Sequence, residues 1–209
     1  MPVIFHTATD IKMIIEKLPN EEVEHMRRVG ILVDILSAKL CGAGLYLWGC
    51  GMDEEKYYGA AAAYHDIGKI MVPKSLLTKP NKLTREEFSI IKKHPVFASE
   101  MFDQIKNGSI TGISKHLFKL AYDSAVYHHE WWNGKGYPYG IRLNNIPLIA
   151  RITSICDAYD AITNNRLYSE ARSHSYACSE LKAKSGTQFD PQLVQIFLNH
   201  QAVFSKFTK

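Results

Sequence analysis

Apolar positions in this chain recur three and four residues apart, the period of a helix with one buried face, and strict alternation is missing. Thr9-Asp10 can cap a short helix to about Leu18, with Pro19-Asn20 as its break. Over residues 21–40, Val23, Met26, Ile31, Val33, Ile35 and Leu36 fall at spacings that predict a core-facing helix. Gly42, Gly44, Gly49 and Gly51 mark an irregular connection. Residues 54–66 read as a buried helix, because a run of alanines lets neighbouring backbones approach closely.

Pro73 and Pro80 keep the segment after Ile67-Gly68-Lys69 extended. Thr84-Arg85-Glu86-Glu87 has the form of a capping box and predicts a helix closed by His94. Pro95 is placed to open another, with Val96, Phe97, Met101 and Phe102 on its apolar face. Residues 115–129 are helical again, residues 130–147 form the main loop, and helices near 148–163, 175–184 and 191–200 finish the chain. There is no strand series, internal repeat or low-complexity linker. The expected fold is all-α, a compact helical bundle.

The 209 residues suit one domain over 21–209 with a short helical extension over 1–20. A net charge of +4 is far from the basic footprint of a DNA-binding protein, so no DNA partner is expected. Cys41, Cys50, Cys156 and Cys178 form no C-x-x-C pair, which excludes a zinc ribbon or thioredoxin-like site. Reduced thiols in a cytoplasmic protein are the expected state. Residues 1–18 lack the pattern of a signal peptide, and the apolar stretch at 41–51 is too short to span a bilayer.

Histidines and acids gather where unpaired polar groups would be costly, at helix ends and on apolar helices. Glu21 and His25 share a helix face; His65-Asp66 ends the alanine-rich segment; His94, His128-His129 and Asp157 follow on later helices. Each element alone has an ordinary reading, as a cap, a dipole contact or a solvent-facing pair. Together they form the set from which a bundle builds a polynuclear site. Mixed imidazole and carboxylate ligation suits iron, manganese, zinc or nickel better than calcium or magnesium. Asp66 could bridge two such ions and so share a water made nucleophilic toward phosphorus at neutral pH.

The order His25, His65-Asp66, His94, Asp157 resembles the HD superfamily of metal-dependent phosphohydrolases. HHEWWNGKGYPYGIRLNNIP at 128–147 narrows the resemblance to the HD-GYP subfamily. So do HDIGKIMVPKSLLTKPNKLTREEFSIIKKHP before it, and ARITSICDAYDAITNNRLY and SGTQFDPQLV after it. The match runs from roughly Glu21 to His200. It implies an HD-domain bundle that hydrolyses cyclic di-GMP to linear pGpG and often onward to GMP, or acts on hybrid cyclic GMP-AMP. Two or three divalent metals, commonly iron or manganese, come with it.

The resemblance makes His25, His65, Asp66, His94, His128, His129 and Asp157 the ligands, with Asp66 as bridge and Glu21 toward a third metal. It gives Lys69 to a substrate phosphate oxygen, where it would stabilise developing charge, and Arg166 to a phosphate or a guanine edge. Tyr137, in a loop turned by Gly134 and Gly136 and stiffened by Pro138, either meets the nucleotide or pins the loop. Trp131 and Asn133 stand where many relatives have arginine and aspartate, and Ser169 where others have a basic residue. Trp131 and Trp132 either pack the loop or stack on a guanine. These departures keep two rivals open: a phosphohydrolase of another nucleotide or phosphate ester, and a catalytically weak binding module. Domains of this kind are often joined to sensors, so a regulatory protein acting in trans is a further expected partner.

Overall fold

The computed structural model describes residues 8–42, 55–165 and 170–207. Arg166, Ser169, Cys50, His6 and the glycines at 44, 49 and 51 lie outside them, as does the side chain of Cys41. Helix formation starts from good local caps. Asp10 accepts from the Lys12 N–H to open α1 (Ile11–Ile15), and α2 follows over Asn20–Gly42. A short α3 (Tyr58–Ala62) leads through turns into the 3-10 segment Ile67–Met71, then α4 (Lys74–Leu77). Thr84 and Glu87 form the expected capping box on α5 (Arg85–Ile91). Next come α6 (His94–Lys106), α7 (Lys115–Tyr127), α8 (Leu148–Thr163) and α9 (His174–Ala183). Asp190 caps α10 (Pro191–Asn199), and α11 (Gln201–Phe204) ends the series.

The core forms around α2. Its buried stripe is Met26, Val29, Leu32, Val33, Leu36 and Leu40, all 6% exposed or less. Val23, Ile31 and Ile35 sit on its shoulder rather than in it, because a stripe through Val29 and Leu32 is the one that faces α3 and α8. Burying such side chains contributes roughly 1.5–3 kcal/mol each. α3 packs on α7, α6 on both α7 and the 3-10 segment, and α9 on α8. The alanines do allow a close approach: a Cβ on Gly30 would lie 2.8 Å from the Gly59 carbonyl oxygen and 3.3 Å from Ala63 Cβ.

Two expectations shift. The alanine-rich helix stops at Ala62, so His65 and Asp66 sit on turns beyond its end. His94 opens α6 rather than closing α5. The N-terminal segment is built into the core through Ile11, Ile14 and Leu18, and Thr9–Asp10 pairs in parallel with Ile110–Thr111 as the one two-stranded ladder among the described residues. No helix among the described residues is long and apolar enough to cross a membrane.

Candidate metal centre

Five elements deliver the seven expected ligands to one place. α2 brings His25, the turn after α3 brings His65 and Asp66, and the first residue of α6 is His94. The end of α7 brings His128 and His129, and α8 brings Asp157. Their donor atoms converge as two groups: Asp66, His94, His128 and His129 in one, and His25, His65 and Asp157 in the other. Asp66 joins the two. Its Oδ1 lies 3.1 Å from His94 Nε2 and 3.9 Å from His128 Nε2, while its Oδ2 lies 3.2 Å from His65 Nε2 and 3.5 Å from His25 Nε2.

The other ring nitrogens decide what these contacts mean. His65, His94 and His128 each direct Nδ1 at a backbone carbonyl, of Ala62, Ile91 and Ser124, at 2.8–2.9 Å. A carbonyl only accepts, so Nδ1 holds the proton and Nε2 presents a lone pair. Yet His25 and His65 bring their Nε2 atoms within 3.3 Å, and His94 and His128 within 3.5 Å. Where both facing nitrogens are lone pairs, they cannot hydrogen-bond each other, and burial leaves water little room to intervene. Imidazole and carboxylate donors arranged so, with Nδ1 tied back, fit a divalent metal site.

Electrostatics agree with that fit. Burial alone would raise the Asp66 carboxyl, but the Lys69 ammonium beside it holds it well below the usual carboxylate range. Burial pushes His94 down, drives His129 well down with help from His128, and takes His128 to about 3. His94, His128 and His129 are therefore neutral, the form in which imidazole binds a metal. With metal chelated, the unfolded chain protonates such rings near their ordinary value of 6.5 while the fold resists it. Stability is then full above about pH 6.5 and is lost as pH falls toward the folded values. We expect thermal unfolding of the chelated protein to move steadily lower between pH 7 and 5. The slope is up to about 1.4 kcal/mol per pH unit for each ring; a flat profile there contradicts buried neutral histidines.

Three residues that the sequence reading did not single out complete the site. Asp160, one helical turn after Asp157, accepts from His25 Nδ1 at 2.7 Å and receives Arg28 through two bonds of 2.7 and 3.0 Å. It thereby fixes the His25 ring. Glu22 meets Lys69 at 2.7 Å. Glu130 accepts from the N–H groups of Tyr139 and Gly140 at 2.7 and 3.1 Å, folding the Gly-Tyr-Pro loop over the site.

Lys69 itself is buried, with Nζ 2.8 Å from Asp66 Oδ2. Tyr137 stacks on His129 at 4.7 Å, and Lys92 lies over the Tyr137 ring at 4.4 Å. Gly136 is needed for close approach, since a Cβ there would fall 2.3 Å from the Trp131 nitrogen. Asn133 accepts from the Lys135 N–H and turns the loop, and Arg151 lies over Trp132. Glu21 is exposed; it lines the same cleft as Glu22, His25, Arg28 and Lys69 but belongs to neither donor group. Arg166 and Ser169 fall outside the described residues. Cys156 and Cys178 are free and buried.

The comparisons with known proteins agree with this geometry. The HD domain family profile matches residues 49–193. A probable cyclic di-GMP phosphodiesterase of Vibrio cholerae serotype O1 is 33% identical over 184 residues, 88% of this chain and 41% of the relative. The 3'3'-cGAMP-specific phosphodiesterase 2 of the same organism is 32% identical over 186 residues, 89% of this chain and 33% of that one. The chain thus spans less than half the length of either. The solved HD domain of the L. monocytogenes phosphodiesterase PgpH, in complex with cyclic-di-AMP, superposes with a TM-score of 0.60. At 17% identity, over 94% of this chain and 95% of that one, it shows the shared fold. With the histidine and aspartate order and the Gly-Tyr-Pro loop both in place around one centre, the chain belongs to the HD domain family and, within it, to the HD-GYP group.

Proposed function

We propose that this chain is a metal-dependent phosphodiesterase of cyclic dinucleotides. In this reading it opens cyclic di-GMP to linear pGpG and continues to GMP, with hybrid cyclic GMP-AMP as the alternative substrate. The observation that carries the proposal is the convergence of five imidazoles and the Asp157 carboxylate around Asp66, whose two oxygens face different halves of the centre. Relatives named for hydrolysis of cyclic di-GMP and 3'3'-cGAMP support the substrate class. Their organism supports a bacterial setting, and a cytoplasmic one is part of this reading.

His25, His65 and Asp157 would hold one ion and His94, His128 and His129 a second, with Asp66 shared between them. Glu21 is the candidate donor toward a third. Iron or manganese suits these ligands. Bound there, such ions supply Lewis acidity and an acidified water. The protein's own groups do the rest. Backbone carbonyls and Asp160 hold the rings in one orientation, Lys69 faces the charge that develops on a phosphoryl oxygen, and Tyr137 closes one wall beside His129. Arg166 is the candidate for a second phosphate or a guanine edge.

The test is a panel of cyclic di-GMP, 3'3'-cGAMP, mononucleotides and a generic phosphodiester, run on protein purified without oxygen and loaded with iron or manganese. We expect a cyclic dinucleotide to be cleaved at least about 100-fold more efficiently than the generic diester, a difference of about 2.7 kcal/mol. Equal rates across the panel, or tight binding without turnover at full metal content, would reject the proposal.

A further inference from the structure

We propose that Glu22 is a positioning residue that keeps the Lys69 ammonium aimed into the metal centre when the ions are bound; the inference rests on the phosphodiesterase reading above. Lys69 extends from the 3-10 segment just past Asp66, and its side chain is only 9% exposed. A buried ammonium needs acceptors. Two carboxylates meet it, Asp66 Oδ2 at 2.8 Å and Glu22 Oε2 at 2.7 Å.

These two partners are not equivalent. Asp66 Oδ2 also faces the His65 and His25 Nε2 atoms at 3.2 and 3.5 Å. A divalent ion in that half would draw on the same oxygen and would repel the ammonium at short range. Glu22 belongs to neither group of converging donors. It stands in the first turn of α2, three residues before His25, and lines the cleft beside Lys69. Glu22 is thus the counter-charge that stays with Lys69 when Asp66 is taken up by metal. Because it reaches Lys69 from a different element, it fixes where a long, flexible side chain ends. Without it, repulsion from the ions turns the ammonium outward, away from the reacting phosphate.

The experiment is a cycle of Glu22→Gln, Lys69→Met and the double variant. It is read by steady-state kinetics on cyclic di-GMP and by calorimetric Mn2+ titration of the chelated proteins. Glu22→Gln is isosteric, and we expect it to lower kcat roughly 10- to 100-fold with KM within about twofold. It should also weaken Mn2+ binding several-fold, because the ammonium beside the ions has lost the negative charge that offsets it. In the Lys69→Met background the same change should alter neither kcat nor Mn2+ affinity further. Equal losses from Glu22→Gln with and without Lys69 would show that Glu22 acts as a ligand or a fold element, and would overturn the inference. Full turnover by Glu22→Gln beside a crippled Lys69→Met overturns it alone. Full turnover by Lys69→Met overturns the substrate role given to Lys69 and this inference with it.

Discussion

Asp66→Ala is expected to lose both bound metal and turnover while keeping the helical content of the parent. Asp66 is 3% exposed and, among the described residues, is the carboxylate whose two oxygens face both donor groups, at 3.1 Å from His94 and 3.2 Å from His65. Removing it takes away the anion shared by two divalent charges, and neutral imidazoles cannot replace it. Lys69 still has Glu22, so the fold retains an acceptor for its buried ammonium. We expect the metal-to-protein ratio to fall by more than half and the rate by about 1,000-fold or more, with far-ultraviolet circular dichroism unchanged. Turnover at the parental rate by a metal-free Asp66→Ala protein would contradict the mechanism outright.

The candidate ligand set was legible in the sequence because histidines and aspartates fall at helix ends or on apolar helices, in a family order. The geometry supplies what such an order cannot. Residues 54–66 promised one helix, yet the chain turns after Ala62. That turn lets His65 Nδ1 reach back to the Ala62 carbonyl and sends Nε2 inward. His94 was assigned to the end of α5 because the capping box and the apolar run have no clear stop. Pro95 resolves it, since proline is accepted in the first turn of a new helix. The periodicity of α2 was correct, and Met26, Val33 and Leu36 do lie in its buried stripe; Ile31 and Ile35 stood in for Val29 and Leu32, because they are as apolar and only packing ranks them.

The supporting residues were harder to see. Asp160 is three residues from Asp157, so the pair shares a helix face, and that spacing was available as a signal. Its partners were not: His25 and Arg28 are 135 and 132 residues away in sequence. Glu22 was hidden beside Glu21, since adjacent acids in the first turn of a helix read equally well as partners of the helix dipole. Glu130 is embedded in the His-His-Glu string, and its role depends on N–H groups nine and ten residues ahead. In each case the missing fact is a long-range or loop-closing contact, which local pattern does not encode.

Gly68→Ala is the change expected to damage both fold and site from a position that ligates nothing. A Cβ at Gly68 would lie 2.0 Å from the His94 carbonyl oxygen and 2.6 Å from the Ala98 nitrogen, both backbone atoms of α6. No side chain can move aside to relieve those contacts, so the methyl must push α6 off the 3-10 segment against which it packs. Gly68 is two residues from Asp66, and α6 begins at His94, so the displacement opens the 3.1 Å approach of His94 to Asp66 Oδ1. We expect a loss of about 3 kcal/mol or more in unfolding free energy. Metal should be lost first from the half that carries His94. Gly108→Ala separates this effect from glycine chemistry in general. That residue has φ +82° with no atom within 4 Å of an added Cβ, so backbone strain of about 1 kcal/mol is its whole cost and metal content should stay at the parental ratio. If the two alanine variants unfold at the same temperature, steric contact between the 3-10 segment and α6 is not what holds His94 against Asp66.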